Sequence, residues 1–363
     1  MYDTNELLER SYAILKGNEV EIDGNKLVSP SKTYATYEGV WNWDSAFIAL
    51  AVAENDVDFA LAQCDIFLDK MSDIGMTMDA FTFSGKVYDK SSKPPIFAWV
   101  LREIAVRYNR FDIVEKYYDK LVINESFWVN YRSYNGLFHY DAFSEGSDHL
   151  RDSKNESGWD TSVRWDNGAR NLYAIDLNCY MILFYETLIF FADYLGRDSG
   201  LWRKKKDDLT ILINSVLWNE KENVYMDYDY ERNCFTGVFS PASFMPLFVN
   251  IAPIEKAKKM EEIARSDHFY PLMPSVSYLD EQYNENDYWR GPTWINVAYF
   301  AIKGLKNYGF TEIAEKYKDN ILTMCYNEKR SVYEYYNSKT GKGLNADNFA
   351  WSAVFIIEFI KHF

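Results

Sequence analysis

Four short segments of this sequence place aromatic side chains beside side chains that bond hydroxyl groups. They are Trp41–Asp44, Gly158–Asp166, Tyr288–Trp294 and Asn348–Ser352, and each lies directly before an apolar helical pattern or at its start. Indole rings stack on the C–H faces of sugars, while aspartate, arginine and asparagine bond sugar hydroxyls. Helix capping or core packing explains any one segment, but four together predict a sugar-binding site.

Two carboxyl groups in these aromatic surroundings could hydrolyse a glycoside. Such hydrolysis needs one carboxyl that donates a proton and a second that activates water or attacks the anomeric carbon. Asp160 is the candidate acid, since the flanking Trp159 and Trp165 could desolvate it and raise its pKa. Glu334 is the candidate second carboxyl, because it lies among tyrosines with no basic residue within three positions. The alternative for Glu334 is a solvent-facing strand residue.

Most of the sequence around these residues has the apolar spacing of α-helices, so helices must position them. Apolar side chains from Trp294 to Leu305 recur at helical spacing, and the same pattern occurs near 43–51 and after Pro94-Pro95 at 97–108. Similar segments lie near 4–16, 55–72, 112–132, 170–196, 198–217, 253–265, 309–326 and 348–362. Strand-like alternation is confined to 223–239, around a turn at Glu231–Asn233, and to 331–336 before a second turn at 337–343.

These patterns predict a single, mostly α domain over residues 1–363, built from helical pairs. No linker rich in Pro, Gly or Ser divides the chain, and neither a βαβ rhythm nor a GxGxxG motif occurs. Segment 136–157 is rich in Ser, Asp and Gly, and we expect it to cover the site.

The charge, aromatic content and histidines of the chain indicate which partners and which kinds of site to expect. The 363 residues carry 39 Lys+Arg against 54 Asp+Glu, a formal charge of −15, which argues against nucleic acid and anionic membranes as partners. Aromatic residues make up 18% of the chain, which favours stacking surfaces for sugars. The four histidines His139, His149, His268 and His362 are scattered, so we predict no metal site and no cofactor.

The same composition suggests a reducing compartment. Cys64, Cys179, Cys234 and Cys325 have no CxxC spacing and apolar neighbours, so we expect free, buried thiols. The acidic N-terminus has no apolar core of a signal peptide. Glu186 and Asp193 interrupt the longest apolar stretch, which we therefore expect not to span a bilayer. A cytoplasmic location follows as the default.

Several motifs, in order, resemble glycoside hydrolase family 63. They are Trp41–Phe47, Ser157–Ser162, Tyr288–Asn296, Glu334–Asn337 with Thr340-Gly341, and Phe349–Ala353. They span nearly the whole chain. The resemblance implies an (α/α)6 barrel with short β-hairpin insertions, and an inverting hydrolase of α-linked glucosides or mannosides. It also implies that Asp160 is the general acid and Glu334 the general base. Inversion would require the two carboxyls to lie roughly 6.5–9.5 Å apart.

The resemblance also implies where substrate binds. Aromatic and polar side chains of the matching motifs would line the sugar subsite, namely Trp41, Trp43, Asp44, Trp159, Arg164, Trp289, Arg290 and Trp351. Arg290 would bond hydroxyls or a substrate carboxylate. The compact bacterial members that cleave mannosylglycerate or glucosylglycerate often carry Gln before the proline pair, where this chain has Lys93. That lysine either pairs with an acidic aglycone or lies on the surface. The glycine-rich lid of the related trehalases is shorter here, at 341–345, so trehalose is a weaker candidate.

We therefore predict a cytoplasmic, inverting α-glycosidase whose partner is a small carbohydrate. The sequence leaves the sugar, the linkage, the aglycone and the oligomeric state open. One alternative is a sugar epimerase or isomerase on the same barrel, although such enzymes usually use histidines. A second alternative is a glycan-binding barrel without catalysis, which would keep the aromatic segments but need no pair of carboxyls.

Overall fold

The structure, a computed structural model, describes residues 2–33, 37–140, 149–166 and 171–363, with the backbone alone at 149–152. Helices dominate these residues. Thirteen α-helices lie among them: α1 Thr4–Gly17, α2 Asn42–Val52, α3 Val57–Leu68, α4 Phe97–Arg107, α5 Asp112–Tyr131, α6 His149–Ser157, α7 Ile175–Tyr194, α8 Gly200–Val216, α9 Met245–Phe248, α10 Ile254–Arg265, α11 Ile295–Asn307, α12 Thr311–Asn327 and α13 Ala350–Lys361. Two short 3-10 helices occupy Val163–Trp165 and Pro241–Phe244.

Six small antiparallel sheets connect the helices of this described part. Their strands are β1 Glu19–Ile22, β2 Asn25–Val28, β3 Gly39–Trp41, β4 Ala80–Thr82, β5 Val87–Tyr88, β6 Ser133–Tyr134, β7 Leu137–Phe138, β8 Leu172–Tyr173, β9 Trp218–Asn219, β10 Val224–Tyr225, β11 Tyr228–Asp229, β12 Cys234–Phe235, β13 Tyr333–Tyr336 and β14 Gly343–Asp347. The strand orders are β1-β2, β3-β4-β5, β6-β7, β9-β10, β12-β11-β8 and β13-β14.

The helices predicted from apolar periodicity are confirmed, with ends that move by a few residues. Two helices were not predicted. The sequence of α6 has one apolar residue, Leu150, and therefore shows no apolar stripe, and α9 has only four residues. The hairpin predicted within 223–239 is confirmed as β11-β12, and the one after Ser331 as β13-β14. Strands also occur outside the two predicted regions: the sheets β1-β2, β3-β4-β5 and β6-β7, the strand β8 and the pairing of β10 with β9 were not predicted.

Contacts divide the chain into two units, each of which is made of segments that are separate in the sequence. The first comprises Met1–Ile14, Trp159–Asp176 and Ile213–Phe363, and the second comprises Leu15–Gly158 and Leu177–Leu212. Within the first unit, α11 packs against α9, α12 and α13. Nearly every residue of α11 and α13 is buried, whereas α10 buries one side alone. Such alternation is typical of helical pairs in which one helix covers the other.

The second unit is organised around α2. All of its residues are buried, and it packs against α3 and α4. Strand β3 leads directly into α2 and pairs with β4, which pairs in turn with β5. The prediction of one domain over residues 1–363 stays a prediction.

Two expectations about apolar residues need correction. Cys64, Cys179 and Cys325 are buried as expected, but Cys234 is exposed at the start of the short strand β12. Among the described residues one helix, α7, is long and apolar enough to cross a membrane despite Glu186 and Asp193. Of its most apolar window, 83% is buried inside the protein, so its side chains pack against the protein's own core.

Gly304 is a packing constraint that can be tested. A Cβ at this position of α11 would lie 2.7 Å from the backbone nitrogen of Phe248 in α9. Because such a contact requires the helices to separate, we expect Gly304→Ala to lower the free energy of unfolding by about 1–3 kcal/mol. Gly17→Ala at the end of α1 is the control, since no atom lies within 4 Å of its added Cβ. Urea denaturation of both variants measures the difference, and equal midpoints would contradict the expected clash.

Candidate functional site

Glu334 lies in β13 with its side chain buried in the first unit. Tyr333 pairs with Asp347 and Tyr335 pairs with Leu344, so β14 has one extra residue at this point and Glu334 lies opposite a β-bulge in β14. A bulge redirects a side chain relative to regular strand pairing and is common beside active sites. The alternative that Glu334 is a solvent-facing strand residue is therefore wrong.

Hydrogen bonds to its side chain and its backbone hold Glu334 in place. The Tyr288 hydroxyl donates to Oε1 over 3.0 Å, and the side-chain amide of Asn345 donates to Oε2 over 2.6 Å. The backbone carbonyl of Glu334 accepts from Trp351 Nε1 at 3.3 Å and from the Ser352 hydroxyl at 3.2 Å. Trp351, predicted to line the sugar subsite, thus contacts the strand of the predicted base. The first turn of α13 thereby anchors that strand.

Both of these donors to the Glu334 carboxylate have a left-handed backbone. The φ angle is +30° at Tyr288 and +60° at Asn345. A residue as bulky as tyrosine adopts such an angle only where its surroundings enforce it. Here the indole N–H of Trp294 donates to the backbone carbonyl of Tyr288 over 2.9 Å. The rings of Trp294 and Tyr335 also meet the Tyr288 ring edge to face.

Asp160 has different surroundings from Glu334. It lies in the turn before the 3-10 helix Val163–Trp165, and it is exposed. Trp159 and Trp165 beside it are both buried. The expectation that these two indoles desolvate Asp160 is therefore wrong: their rings are directed into the interior while the aspartate faces outward.

One segment contacts the surroundings of both carboxyl-bearing residues. Tyr288 bonds Glu334, and the next residue, Trp289, donates its backbone N–H to the hydroxyl of Thr161 at 3.2 Å. Arg290 then donates to the backbone carbonyl of Thr161 at 3.0 Å. Since Thr161 directly follows Asp160, residues 288–290 join the two predicted catalytic residues in one hydrogen-bonded network.

An aromatic column runs through the same network. It consists of Trp159, Trp289, Trp294 and Tyr335, stacked in that order with ring centroids 4.8, 3.8 and 4.6 Å apart. Its end members are the chain neighbours of Asp160 and Glu334. Both faces of the Trp289 indole are covered by the rings on either side. Trp289 was predicted to line the sugar subsite, and with both faces of its ring covered its place in that lining stays a prediction.

Arg164 is an interior ion-pair residue. Its Nε donates to Asp227 at 2.7 Å, and its terminal nitrogens donate to Asp176 at 2.7 and 3.0 Å. The guanidinium carbon lies 4.9 Å from the ring centroid of Trp159, at one end of the aromatic column. Because the Arg164 side chain has no exposed surface, its predicted contact with substrate is wrong. The residue instead fixes the segment that carries Asp160.

Arg290 also bonds within the protein. Besides the carbonyl of Thr161, its guanidinium bonds the side chain of Gln282 and pairs with Asp166 at 2.6 Å. These partners occupy donors that the prediction assigned to substrate hydroxyls or a carboxylate. The structure thus assigns Arg290 to the support of residues 160–166, and gives no support to the predicted substrate contact.

Three predicted subsite residues lie in the second unit. Trp41 ends β3, is partly exposed and meets the ring of Tyr37 edge to face. Trp43 and Asp44 are buried in the first turn of α2. A Cβ on Gly158, whose φ is +77°, would lie 2.4 Å from the Trp43 ring, so only glycine fits there. The contacts of these residues with a sugar stay predictions.

Lys93 is buried in the second unit, so its predicted surface alternative is wrong. Its Nζ lies 3.4 Å from Asp79 Oδ1 and donates to the backbone carbonyl of Asn155. Burial raises the pKa of the Asp79 carboxyl, while the nearby Lys93 ammonium opposes that rise. The N–H of Gly158 donates to the same Asn155 carbonyl, so Lys93 secures the end of α6. Pairing of Lys93 with an acidic substrate stays a prediction.

Tyr288 and Asn345 were missed as site residues. The aromatic segment around Trp289 was a signal for Tyr288, but nothing local to Asn345 shows that a strand bulge brings it to Glu334. Residues 141–148 of the segment predicted to cover the site lie outside the described residues, and 149–157 form α6.

Comparisons with known proteins agree with this architecture. The model of the mannosylglycerate hydrolase MGH1-like glycoside hydrolase domain matches residues 37–352. A curated mannosylglycerate hydrolase from Rubrobacter radiotolerans is 26% identical over 175 residues, which are 47% of this chain and 39% of that protein. The matched part therefore spans well under half of that relative.

Solved structures show the fold. The GH63 mannosylglycerate hydrolase from Thermus thermophilus in complex with Tris has a TM-score of 0.84 at 20% identity, over 97% of this chain and 99% of that chain. The same protein in complex with Tris and D-glycerate has a TM-score of 0.83 at 21% identity, over 98% and 99% of the chains. Neutral trehalase Nth1 from Saccharomyces cerevisiae has a TM-score of 0.74 at 17% identity, over 97% and 80%.

The fold is thus the (α/α)6 barrel of glycoside hydrolases, and the predicted all-α class with small hairpins is confirmed. The chain belongs to the family of mannosylglycerate hydrolase MGH1-like glycoside hydrolase domains. The predicted resemblance to glycoside hydrolase family 63 is confirmed with it.

The buried ion pairs of Arg164 make a prediction about stability. Arg164→Met would leave Asp176 and Asp227 without their shared cation, so we expect a loss of about 3–5 kcal/mol in the free energy of unfolding. Arg197→Met is the control, because Arg197 and its partner Asp119 are exposed, and its denaturation midpoint should barely change. Chemical denaturation followed by tryptophan fluorescence measures both, and a small loss in Arg164→Met would refute the structural role.

Proposed function

We propose that this chain is an inverting α-glycosidase that hydrolyses a small α-linked mannoside or glucoside. One observation carries the proposal: Tyr288–Arg290 bonds both the buried Glu334 and the residue after the exposed Asp160. Two carboxyl groups in one network but in unlike environments are what acid–base hydrolysis of a glycoside needs, since each must have a different protonation state.

Asp160 is the general acid in this proposal. Its exposure lets it meet the glycosidic oxygen of a substrate that enters from solvent. A bound sugar would displace water from Asp160, and desolvation favours the protonated carboxyl that an acid must have. Arg290 supports the backbone around Asp160 through Thr161, which helps to keep that part of the chain in position when substrate arrives.

Glu334 is the general base. Donors from Tyr288 and Asn345 each bond one of its oxygens, which suits a deprotonated carboxylate. In an inverting reaction this carboxylate removes a proton from water, and the water attacks the anomeric carbon as Asp160 protonates the leaving oxygen. Two carboxyls and one water complete this chemistry.

Among small α-glycosides we infer that mannosylglycerate or glucosylglycerate is the substrate. The matching family model is described by mannosylglycerate hydrolase, and the Thermus protein of that name has been crystallised with D-glycerate and with glucose.

Substitution of either carboxyl tests the proposal. We expect Asp160→Asn and Glu334→Gln each to lower kcat by at least about 100-fold, because proton transfer is lost while the size of the side chain changes little. Sugar release from mannosylglycerate, glucosylglycerate, trehalose and simple α-mannosides and α-glucosides measures the effect. Asp207→Asn and Glu222→Gln, which alter exposed carboxyls, serve as controls and should keep full activity.

Outcomes of the same panel separate the alternatives. Binding measured by calorimetry without release of sugar would favour a glycan-binding barrel. Epimerised monosaccharide without hydrolysis would favour an isomerase. Full activity in Asp160→Asn would remove that residue from the reaction.

The stereochemistry of the first product is a separate prediction. Because water attacks from the face opposite the leaving group, hydrolysis of an α-glycoside should first release the β-anomer. Proton NMR of the anomeric signals in the first minutes, before mutarotation, distinguishes the two forms. Release of the α-anomer would exclude inversion and would make one carboxyl a nucleophile.

A further inference from the structure

We propose that Tyr288 and Asn345 are positioning residues for hydrolysis, and that together they orient Glu334 and keep it deprotonated. This inference rests on the proposed function, because it assigns a purpose to the base of that reaction. It goes beyond the assignment of two carboxyls by naming the groups that make one of them a base.

Three irregularities of the backbone meet at this carboxyl. Glu334 lies opposite the bulge of β14, and the side-chain donors Tyr288 and Asn345 have positive φ angles, +30° and +60°. Asn345 belongs to the bulged part of β14, whereas Tyr288 lies in a separate segment. Strain of this kind persists where surrounding contacts enforce it, and it is concentrated at functional sites.

Packing alone does not explain the tyrosine hydroxyl. The ring of Tyr288 meets Trp294 and Tyr335 edge to face, with centroids 5.0 and 5.3 Å apart, and a phenylalanine ring would make the same contacts. The hydroxyl adds the 3.0 Å bond to Glu334 Oε1. Trp294 holds the backbone of Tyr288 through its indole N–H, so the aromatic column fixes the direction of that hydroxyl.

The two donors have a defined chemical effect. Tyr288 bonds Oε1 and Asn345 bonds Oε2, so the plane of the carboxylate is fixed from both oxygens. Hydrogen bonds to a carboxylate favour its charged form, and the base therefore stays deprotonated at lower pH than it would without them.

Two substitutions remove the donors with little disturbance of the fold. Tyr288→Phe deletes one hydroxyl and keeps the ring in its packing. Asn345→Gly deletes the amide, and glycine adopts positive φ without strain. Tyr283→Phe is the matched control, because the Tyr283 hydroxyl bonds Ser338 Oγ at 2.7 Å in the same unit rather than Glu334.

The pH profile of kcat/KM tests the inference. In both variants we expect kcat/KM to fall about tenfold, and its acidic limb to move up by about one pH unit, because the base now protonates more readily. Tyr283→Phe should keep the wild-type profile. Wild-type profiles in Tyr288→Phe and Asn345→Gly would overturn the inference. An equal fall in kcat/KM at every pH, with the acidic limb in its wild-type position, would also overturn it, because both residues would then only support the structure.

A second readout does not depend on activity. Carbon-13 NMR of protein labelled at glutamate carboxyls follows the titration of Glu334, assigned by the signal lost in Glu334→Gln. We expect Glu334 to titrate at higher pH in Tyr288→Phe than in the wild type, and equal midpoints would overturn the inference. If the wild type hydrolyses no substrate, the proposed function fails, and this titration still decides whether the donors control Glu334.

Discussion

The stacking of Trp159, Trp289, Trp294 and Tyr335 is the interaction on which the candidate site depends. Two of these rings are chain neighbours of Asp160 and Glu334, so the column connects the two segments that carry carboxyls. Large buried rings have few rotatable bonds and many contacts, and they therefore hold backbone positions at low entropic cost. The aromatic richness of the chain is thus used largely inside the protein, to position chemistry.

Charged side chains support the same segments. Arg164 closes one end of the column and pairs with two buried aspartates, while Arg290 bonds the residues that follow Asp160. In the second unit, Lys93 secures the end of α6 through Asn155. A buried cation is costly unless it is fully paired, and pairing directs each of these groups toward carboxylates and carbonyls of the protein itself. In the structure, the contacts of Arg164, Arg290 and Lys93 hold the backbone segments around them in place.

The two carboxyls joined by this network have unlike environments. Glu334 is buried and receives two donors, whereas Asp160 is exposed and receives its support through the backbone of Thr161. Backbone distortion is concentrated around Glu334, where the bulge of β14 and the positive φ of Tyr288 coincide. The column provides the packing that makes such distortion stable, because a strained backbone persists only in rigid surroundings.

The sequence by itself determined the helices, the two main hairpins, the family and the two carboxyls proposed for catalysis. These features depend on local periodicity, turn residues and ordered motifs, all of which are visible along the chain. Only the tertiary structure decided which partners the side chains of those motifs take. Trp289 stacks on Trp159 and Trp294, Arg164 reaches an aspartate 63 positions away, and Asn345 meets Glu334 across a bulge. Pairings of this kind arise when segments that are distant in the sequence pack together, and local sequence patterns do not predict them.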